Sequence, residues 1–220
     1  MRTRSIVLAL TATAIASTGM TTPASAAPGL AVTTTLRQAI RTLPVAEEDR
    51  TGYARTKFRH WVDADRDGCS TRAEVLLAEA VEPPAVSGQC TISGGMWHSY
   101  YDDTDVPSAR SLDIDHMVPL AEAWDSGASD WSAQERQDYA NDLGDIRSLA
   151  AVTARENRSK ADQDPREWLP TDPGARCRYL QEWVVVKARW QLSADPGEVA
   201  ALADLASGCH DGRITYTPAR

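Results

Sequence analysis

Phenylalanine is almost missing from this chain: Phe58 is the single copy in 220 residues. An aromatic core must therefore be built from seven Trp and six Tyr. Beyond the first 26 residues there is no apolar run long enough to cross a bilayer, so no membrane-spanning helix is expected in the mature protein. Internal repeats and low-complexity runs are absent, which rules out a solenoid or a linker-like chain. None of the four cysteines stands in a Cys-x-x-Cys spacing, so a zinc-ribbon type of site is disfavoured. Basic residues are short as well: 23 Lys and Arg against 31 Asp and Glu, a net charge of -8. That balance argues against broad electrostatic capture of polyanions. It leaves room for a bound cation and a local basic patch to supply positive charge where it is needed.

What is present begins with an export signal. Arg2 and Arg4 precede an apolar run from Ile6 to Ala16, and Ala24-Ser25-Ala26 follows. This predicts a secretory signal peptide over residues 1–26, too short in its apolar part to serve as an anchor. Its only charges are the two Arg, so the mature chain carries 21 basic against 31 acidic residues, a net of -10. Its length suits one exported domain. Cys69, Cys90, Cys177 and Cys209 are an even set in an exported chain and read as two disulfides. The pairing Cys69–Cys90 with Cys177–Cys209 is favoured, because each closes a local loop and leaves the central stretch free.

Residues 27–46, rich in Ala, Thr and Pro, predict a loosely ordered arm, and residues 47–220 the folded domain. Tyr53, Phe58, Trp61 and Val62 recur at roughly helical spacing and predict a helix over 47–62. A second helix is expected from Ala73 to Val81, stopped by Pro83-Pro84. Residues 89–101 read as strand, with Gly94-Gly95 as a turn. Ser132-Ala133-Gln134-Glu135 is a capping box opening a helix to about Asp142, and Thr153-Ala154-Arg155-Glu156 opens another. Asp172-Pro173 starts a long helix through Cys177, Leu180, Val184 and Trp190; Asp195-Pro196 starts the last, ended by Gly208. The fold class is α+β: a mostly helical single domain around a small central sheet, stapled by two disulfides.

The central stretch carries chemistry. Asp113-Ile114-Asp115-His116-Met117-Val118-Pro119-Leu120 ends an apolar strand in an Asp-His pair, and Asn157-Arg158-Ser159-Lys160 lies on a capped helix after a second strand. Phosphodiester hydrolysis needs an activated water, neutralised phosphoryl oxygens and help for the leaving alkoxide. A hard divalent cation on few oxygen ligands meets the last two needs, and a neutral His meets the first. Asp115 and Asn157 are the expected ligands and His116 the base. Asp113 is a further carboxylate, either a ligand or an orienting partner. Lys160, Arg155 and Arg158 are expected to grip phosphates. Strict alternation puts Asp115 and His116 on opposite strand faces, so both serve one site only if the strand ends or bends there.

These residues resemble the HNH nuclease family, whose ββα-metal core is a strand ending in Asp-His, a return strand, and a helix carrying the last Asn. The runs Ala121-Glu122-Ala123-Trp124, Trp168-Leu169-Pro170 and Trp61-Val62-Asp63-Ala64-Asp65 look like its secreted actinobacterial branch. The resemblance implies His116 as general base, with Asp115 and Asn157 holding Mg²⁺; Mn²⁺ and Zn²⁺ are alternatives. The family's middle Asn props the His loop. Here Ser148 stands just before the second strand, and Asn141 is the nearest Asn. The implied function is a secreted metal-dependent endonuclease acting on DNA, with RNA as an alternative substrate; a monomer is expected. A non-catalytic calcium-stabilised extracellular binding module is the alternative.

One more motif stands apart. The twelve residues from Asp63 to Glu74 fit a calcium loop, with Asp63, Asp65, Asp67, Cys69, Thr71 and Glu74 at the ligand positions and Gly68 at the turn. Structural Ca²⁺ is one reading; an Asx-rich turn pinned by Cys69 is another. A third packs the loop near the central site with Arg72 on the phosphate. His60, beside Trp61 on the expected helix, reads as structural, His98 as a surface residue and His210 as inert. The Trp residues read as core, with Trp124 and Trp168 suited to core packing or base stacking.

Overall fold

Two five-residue strands at the centre set the geometry of everything else. In the computed structural model, which describes residues 29–220, β6 (Leu112–His116) and β7 (Leu149–Thr153) pair antiparallel, with His116 opposite Leu149 and Leu112 opposite Thr153. The expected signal peptide, residues 1–26, lies outside the described residues. Before the central pair come α1 (Leu36–Thr42), α2 (Thr71–Ala78) and two short hairpins, β2 (Ala85–Ser87) with β3 (Thr91–Ser93) and β4 (Trp97–Ser99) with β5 (Thr104–Val106). Between β6 and β7 run α3 (Leu120–Asp125) and α4 (Ala133–Ala140); after β7 follow α5 (Ala154–Lys160), α6 (Arg176–Trp190) and α7 (Pro196–Ser207). The chain closes with β8 (Arg213–Tyr216), which pairs antiparallel with β1 (Val32–Thr35).

The mixed fold with a small central sheet and two disulfides is the one the sequence implies. Cys69 joins Cys90 with 5.0 Å between Cα atoms, and Cys177 joins Cys209 at 5.6 Å. Local signals hold where they are capped. Ser132 and Glu135 form the complete box that starts α4. Asp195 accepts from the Gly197 and Glu198 amides to start α7, and Gly208 ends it. At Thr153 half of the box forms: its hydroxyl accepts from the Glu156 amide. Gly94 and Gly95 both take positive φ between β3 and β4, and a Cβ at Gly95 would meet the Trp97 ring at 2.8 Å. Only glycine fits that turn.

Three expectations are corrected. Residues 27–46 are not a loose arm where they are described, because β1 finds a partner in β8 and α1 buries Leu36, Ala39 and Ile40. Residues 47–62 form no α-helix, only a 3₁₀ turn at Arg55–Lys57. Their aromatics are pinned one by one, Tyr53 and Phe58 edge-on to Trp124 and Trp61 against His116, so helical spacing there does not mark one buried face. The helix expected over 73–81 is α2, shifted two to three residues earlier because Ser70 caps it.

The core has two parts among the described residues. The larger packs Trp124, Tyr139, Tyr179, Trp183 and Trp190 between the helices. The smaller sits against the sheet, with Val75, Leu76, Trp97, Leu112, Ile114 and Leu149. At the end of α2, the carboxylate of Glu79 accepts from the Ala151 amide at 3.0 Å. Burial pushes Glu79 up from 4.5 to about 7, while the Ala151 amide and Arg178 pull it down. A carboxyl whose folded value is raised favours folding below its unfolded value and loses that contribution as pH rises through the folded one. Glu79→Gln should therefore stabilise the protein by about 1–3 kcal/mol at pH 8 and leave it unchanged at pH 4. Urea unfolding at the two pH values measures this; an equal effect at both would refute the assignment.

Candidate active site

The end of β6 is where strand alternation stops separating its side chains. β6 ends at His116, Pro119 precedes α3, and Asp115 and His116 both line a cavity of about 320 Å³ together with Tyr53, Arg55, Asn157 and Asp162. A larger groove of about 640 Å³ lies past Asn141, beside Arg59, Arg66 and Trp190, and contains neither Asp115 nor His116. The convergent titratable set favours the smaller cavity.

His116 is held on three sides. Its Nε2 lies 2.9 Å from the Ala140 carbonyl, so that nitrogen donates and Nδ1 keeps the lone pair. Trp61 stacks at 5.3 Å between ring centroids and Tyr139 at 6.5 Å. Burial pushes His116 down from 6.5 to about 3, with Arg55 and His60 adding to the effect and the Ala140 bond opposing it. The imidazole is therefore neutral near pH 7.

Asn141 ties this cradle together. Its Oδ1 accepts from the Val62 amide at 3.0 Å and lies 2.9 Å from the Thr71 hydroxyl; its Nδ2 donates to Arg59 and Gln137 carbonyls at 2.8 and 2.7 Å. Asn141 follows Ala140, whose carbonyl holds His116, and it grips the segment that places Trp61. Trp61 itself has φ of 61°, a conformation that L-residues rarely adopt. Ser148 has another role: its hydroxyl donates to Asp142 and its carbonyl accepts from the Met117 amide.

Asp115 is buried, and one of its oxygens is fully occupied. Oδ2 accepts from Tyr101 Oη at 2.6 Å and from Lys160 Nζ at 2.5 Å. Among the described residues, Oδ1 has no protein donor. Burial pushes the Asp115 carboxyl up and the Lys160 ammonium down, and their attraction opposes both shifts. Asn157, fourth in α5, donates from Nδ2 to Asp113 at 3.3 Å, which leaves its carbonyl oxygen for the cavity. The start of α5 is fixed from outside: Thr153 Oγ1 donates to Asp102 at 2.8 Å, and Ser99 Oγ accepts from the Thr153 amide at 3.0 Å.

Lys160 is not a surface phosphate clamp. It is fully buried, and its three protons go to Asp115, the His116 carbonyl at 3.0 Å and the Met117 carbonyl at 2.8 Å. Seven residues of α5 bring it inward because it continues the face that packs on β6. Arg72 is likewise committed, donating to the Ala109 and Leu112 carbonyls, and does not face the cavity. Arg155 and Arg158 are exposed, with contacts to Asp102 and Asp113. Arg55 is the cation on the cavity wall that spacing did not mark, since it stands in a segment that read as helix. Tyr101 and Trp61 were also missed as site residues; no local pattern distinguishes them from core aromatics.

In the acidic loop, Asp63, Asp65 and Asp67 bring carboxylate oxygens within 4.8 Å of one another. Asp63 and Asp67 already accept from the Gly68 and Cys69 amides. Burial, then Asp67, Asp65 and Asp63, push Glu74 up. The Thr71 hydroxyl lies within hydrogen-bond distance of the Val62 carbonyl and Asn141 Oδ1. His60 bonds the Phe58 carbonyl, His98 pairs with Asp105 at the surface, and Trp124 and Trp168 are core.

Comparison with known proteins adds a family. The model of the GmrSD restriction endonucleases, C-terminal domain, matches residues 67–205. A protein of Arthroderma benhamiae described as an uncharacterized secreted protein is 36% identical over 182 residues, covering 83% of this chain and 87% of that one. No solved structure matches.

Proposed function

Because this chain belongs to the family of the GmrSD restriction endonuclease C-terminal domain, we propose that it is a secreted, metal-dependent endonuclease of the HNH type. The observation that carries this reading is the convergence of neutral His116, Asp115 and Asn157 on one cavity at the end of β6. In this reading residues 1–26 are the export signal. The secreted relative and the two disulfides support that location. Among the described residues no helix is long and apolar enough to cross a membrane.

The donor set suits a hard cation: a carboxylate oxygen of Asp115 without a protein donor and the amide oxygen of Asn157. A divalent ion such as Mg²⁺, with Mn²⁺ or Zn²⁺ as substitutes, would supply charge for the phosphoryl oxygens and the leaving alkoxide. Asp113 orients Asn157 through its amide. His116 takes the proton of the attacking water at Nδ1, because Nε2 is tied to Ala140. Arg55 at the wall, with Arg155 and Arg158 outside it, holds the flanking phosphates of DNA or RNA. Lys160 and Tyr101 act through Asp115 as positioning residues. Asn141 takes the part of the middle Asn.

Supercoiled plasmid incubated with the mature protein and Mg²⁺, Mn²⁺ or Zn²⁺ should be nicked and linearised, and EDTA should stop it. Plasmid left intact across all three metals would refute the reading. Asn141→Ala should lower kcat about 10- to 100-fold with KM little changed, because it loosens the His116 cradle and touches no phosphate. A change confined to KM would place Asn141 in substrate binding instead.

A further inference from the structure

Asp162 lines the cavity of the proposed active site and also a second one of about 110 Å³. The wall of the second is made largely of charge, including Glu48, Glu122, Asp164, Arg50 and Arg166. Two triads share its Glu48. Glu48, Glu122 and Asp125 bring one carboxylate oxygen each within 4.8 Å of one another, and Glu48, Asp164 and Asp195 do the same. Three of these five residues, Glu122, Asp125 and Asp164, are buried in the fold.

Buried carboxylate oxygens are almost always satisfied. Here two are not. Among the described residues, Asp125 Oδ1 and Asp195 Oδ2 are buried with no hydrogen-bond partner, and Asp125 as a whole is only 6% exposed. The other oxygen of Asp125 takes Arg50 Nε at 2.5 Å, so the unpartnered one is left for the cluster. Asp195 spends its Oδ1 on the α7 amides. Nearby cations are already engaged. Lys187 serves Glu122 and Glu198, and Arg50 serves Asp125 and Asp162. Arg166 approaches Asp164 only to 4.0 Å. Seven carboxylates thus share three cations.

We propose that Glu48, Glu122, Asp125, Asp164 and Asp195 form a second cation site, separate from Asp115 and Asn157, for a hard divalent ion of the size of Ca²⁺. Ca²⁺ takes oxygen ligands at about 2.3–2.6 Å, so opposite ligands stand about 4.6–5.2 Å apart; within each triad the oxygens lie inside that span, and Glu48 is common to both. The ion would join four stretches: the irregular segment at Glu48, the end of α3, the turn after α5 and the cap of α7. Its consequence is stability of that junction.

The test is a calorimetric titration of the mature protein with Ca²⁺, beside its unfolding temperature with and without the ion. The background carries Asp65→Asn, Asp67→Asn and Asn157→Ala, which disable the acidic loop and the active-site donor. One Ca²⁺ should still bind and raise Tm. Adding Glu48→Gln and Asp164→Asn should remove both signals. Glu48→Gln alone, at an exposed position, should weaken binding while unfolding without metal at the same or a higher temperature, since it removes one of several repelling charges. No binding in the background, or binding that survives the loss of Glu48 and Asp164, overturns the site. Neither readout depends on whether phosphodiesters are cut.

Discussion

His116→Ala protein is expected to cut plasmid about 10²- to 10⁴-fold more slowly than wild type at pH 7.5. The imidazole is neutral, its tautomer is fixed by the Ala140 carbonyl, and its ring is clamped between Trp61 and Tyr139. A group restrained in this way is ready to accept a proton without first losing one. The substitution also removes a stacked ring, so part of any loss could come from the fold. Circular dichroism and Tm at the assay temperature separate the two. A well-folded His116→Ala protein that cuts at the wild-type rate would remove His116 from the chemistry.

Lys160→Met should destabilise the protein by about 3–5 kcal/mol, because it strands a buried Asp115 carboxylate and leaves the His116 and Met117 carbonyls without their donor. The ammonium is also ringed by Tyr101, Tyr179 and Trp183 at 5.7–6.0 Å, which no aliphatic replacement uses electrostatically. The double variant Asp115→Asn with Lys160→Met should recover much of that stability, since no charge is then left unpaired. It should remain inactive for want of a carboxylate. Urea midpoints of the four proteins give the coupling directly. Were Lys160 a phosphate clamp, Lys160→Met would instead keep its midpoint and raise KM, and the assignment made from burial would be wrong.

The difference between Lys160 as expected and as found shows where sequence reading stops. The Asp115-His116 pair, the return strand and the helix carrying Asn157 were legible because strand alternation, Pro119 and the Thr153 cap are local signals. Which way Lys160 points depends on how α5 sits on β6, and a three-residue spacing cannot encode that. The same limit applies between 47 and 62. Tyr53, Phe58 and Trp61 have the spacing of one helical face, yet each answers to a different neighbour brought in from later in the chain. Arg55 was hidden for this reason. Asn141 was legible as an Asn and not as a keystone, since its four bonds reach segments up to 82 positions away. The disulfides could be read from the sequence because short loops constrain which cysteines meet.

The ribbon made by β1 and β8 sets the size of the piece that can be handled as a unit. The family match spans 67–205, but Trp61, which stacks on His116, and both strands of the ribbon lie outside it. The last residues are built in as well: the Ala219 amide donates to the Arg189 carbonyl, and the Arg220 carbonyl accepts from Gln191. A fragment trimmed to the matched boundaries would lose one wall of the histidine cradle and uncover the apolar sides of α6 and α7. A fragment that keeps the histidine cradle and the ribbon therefore starts ahead of Val32 and includes Arg220.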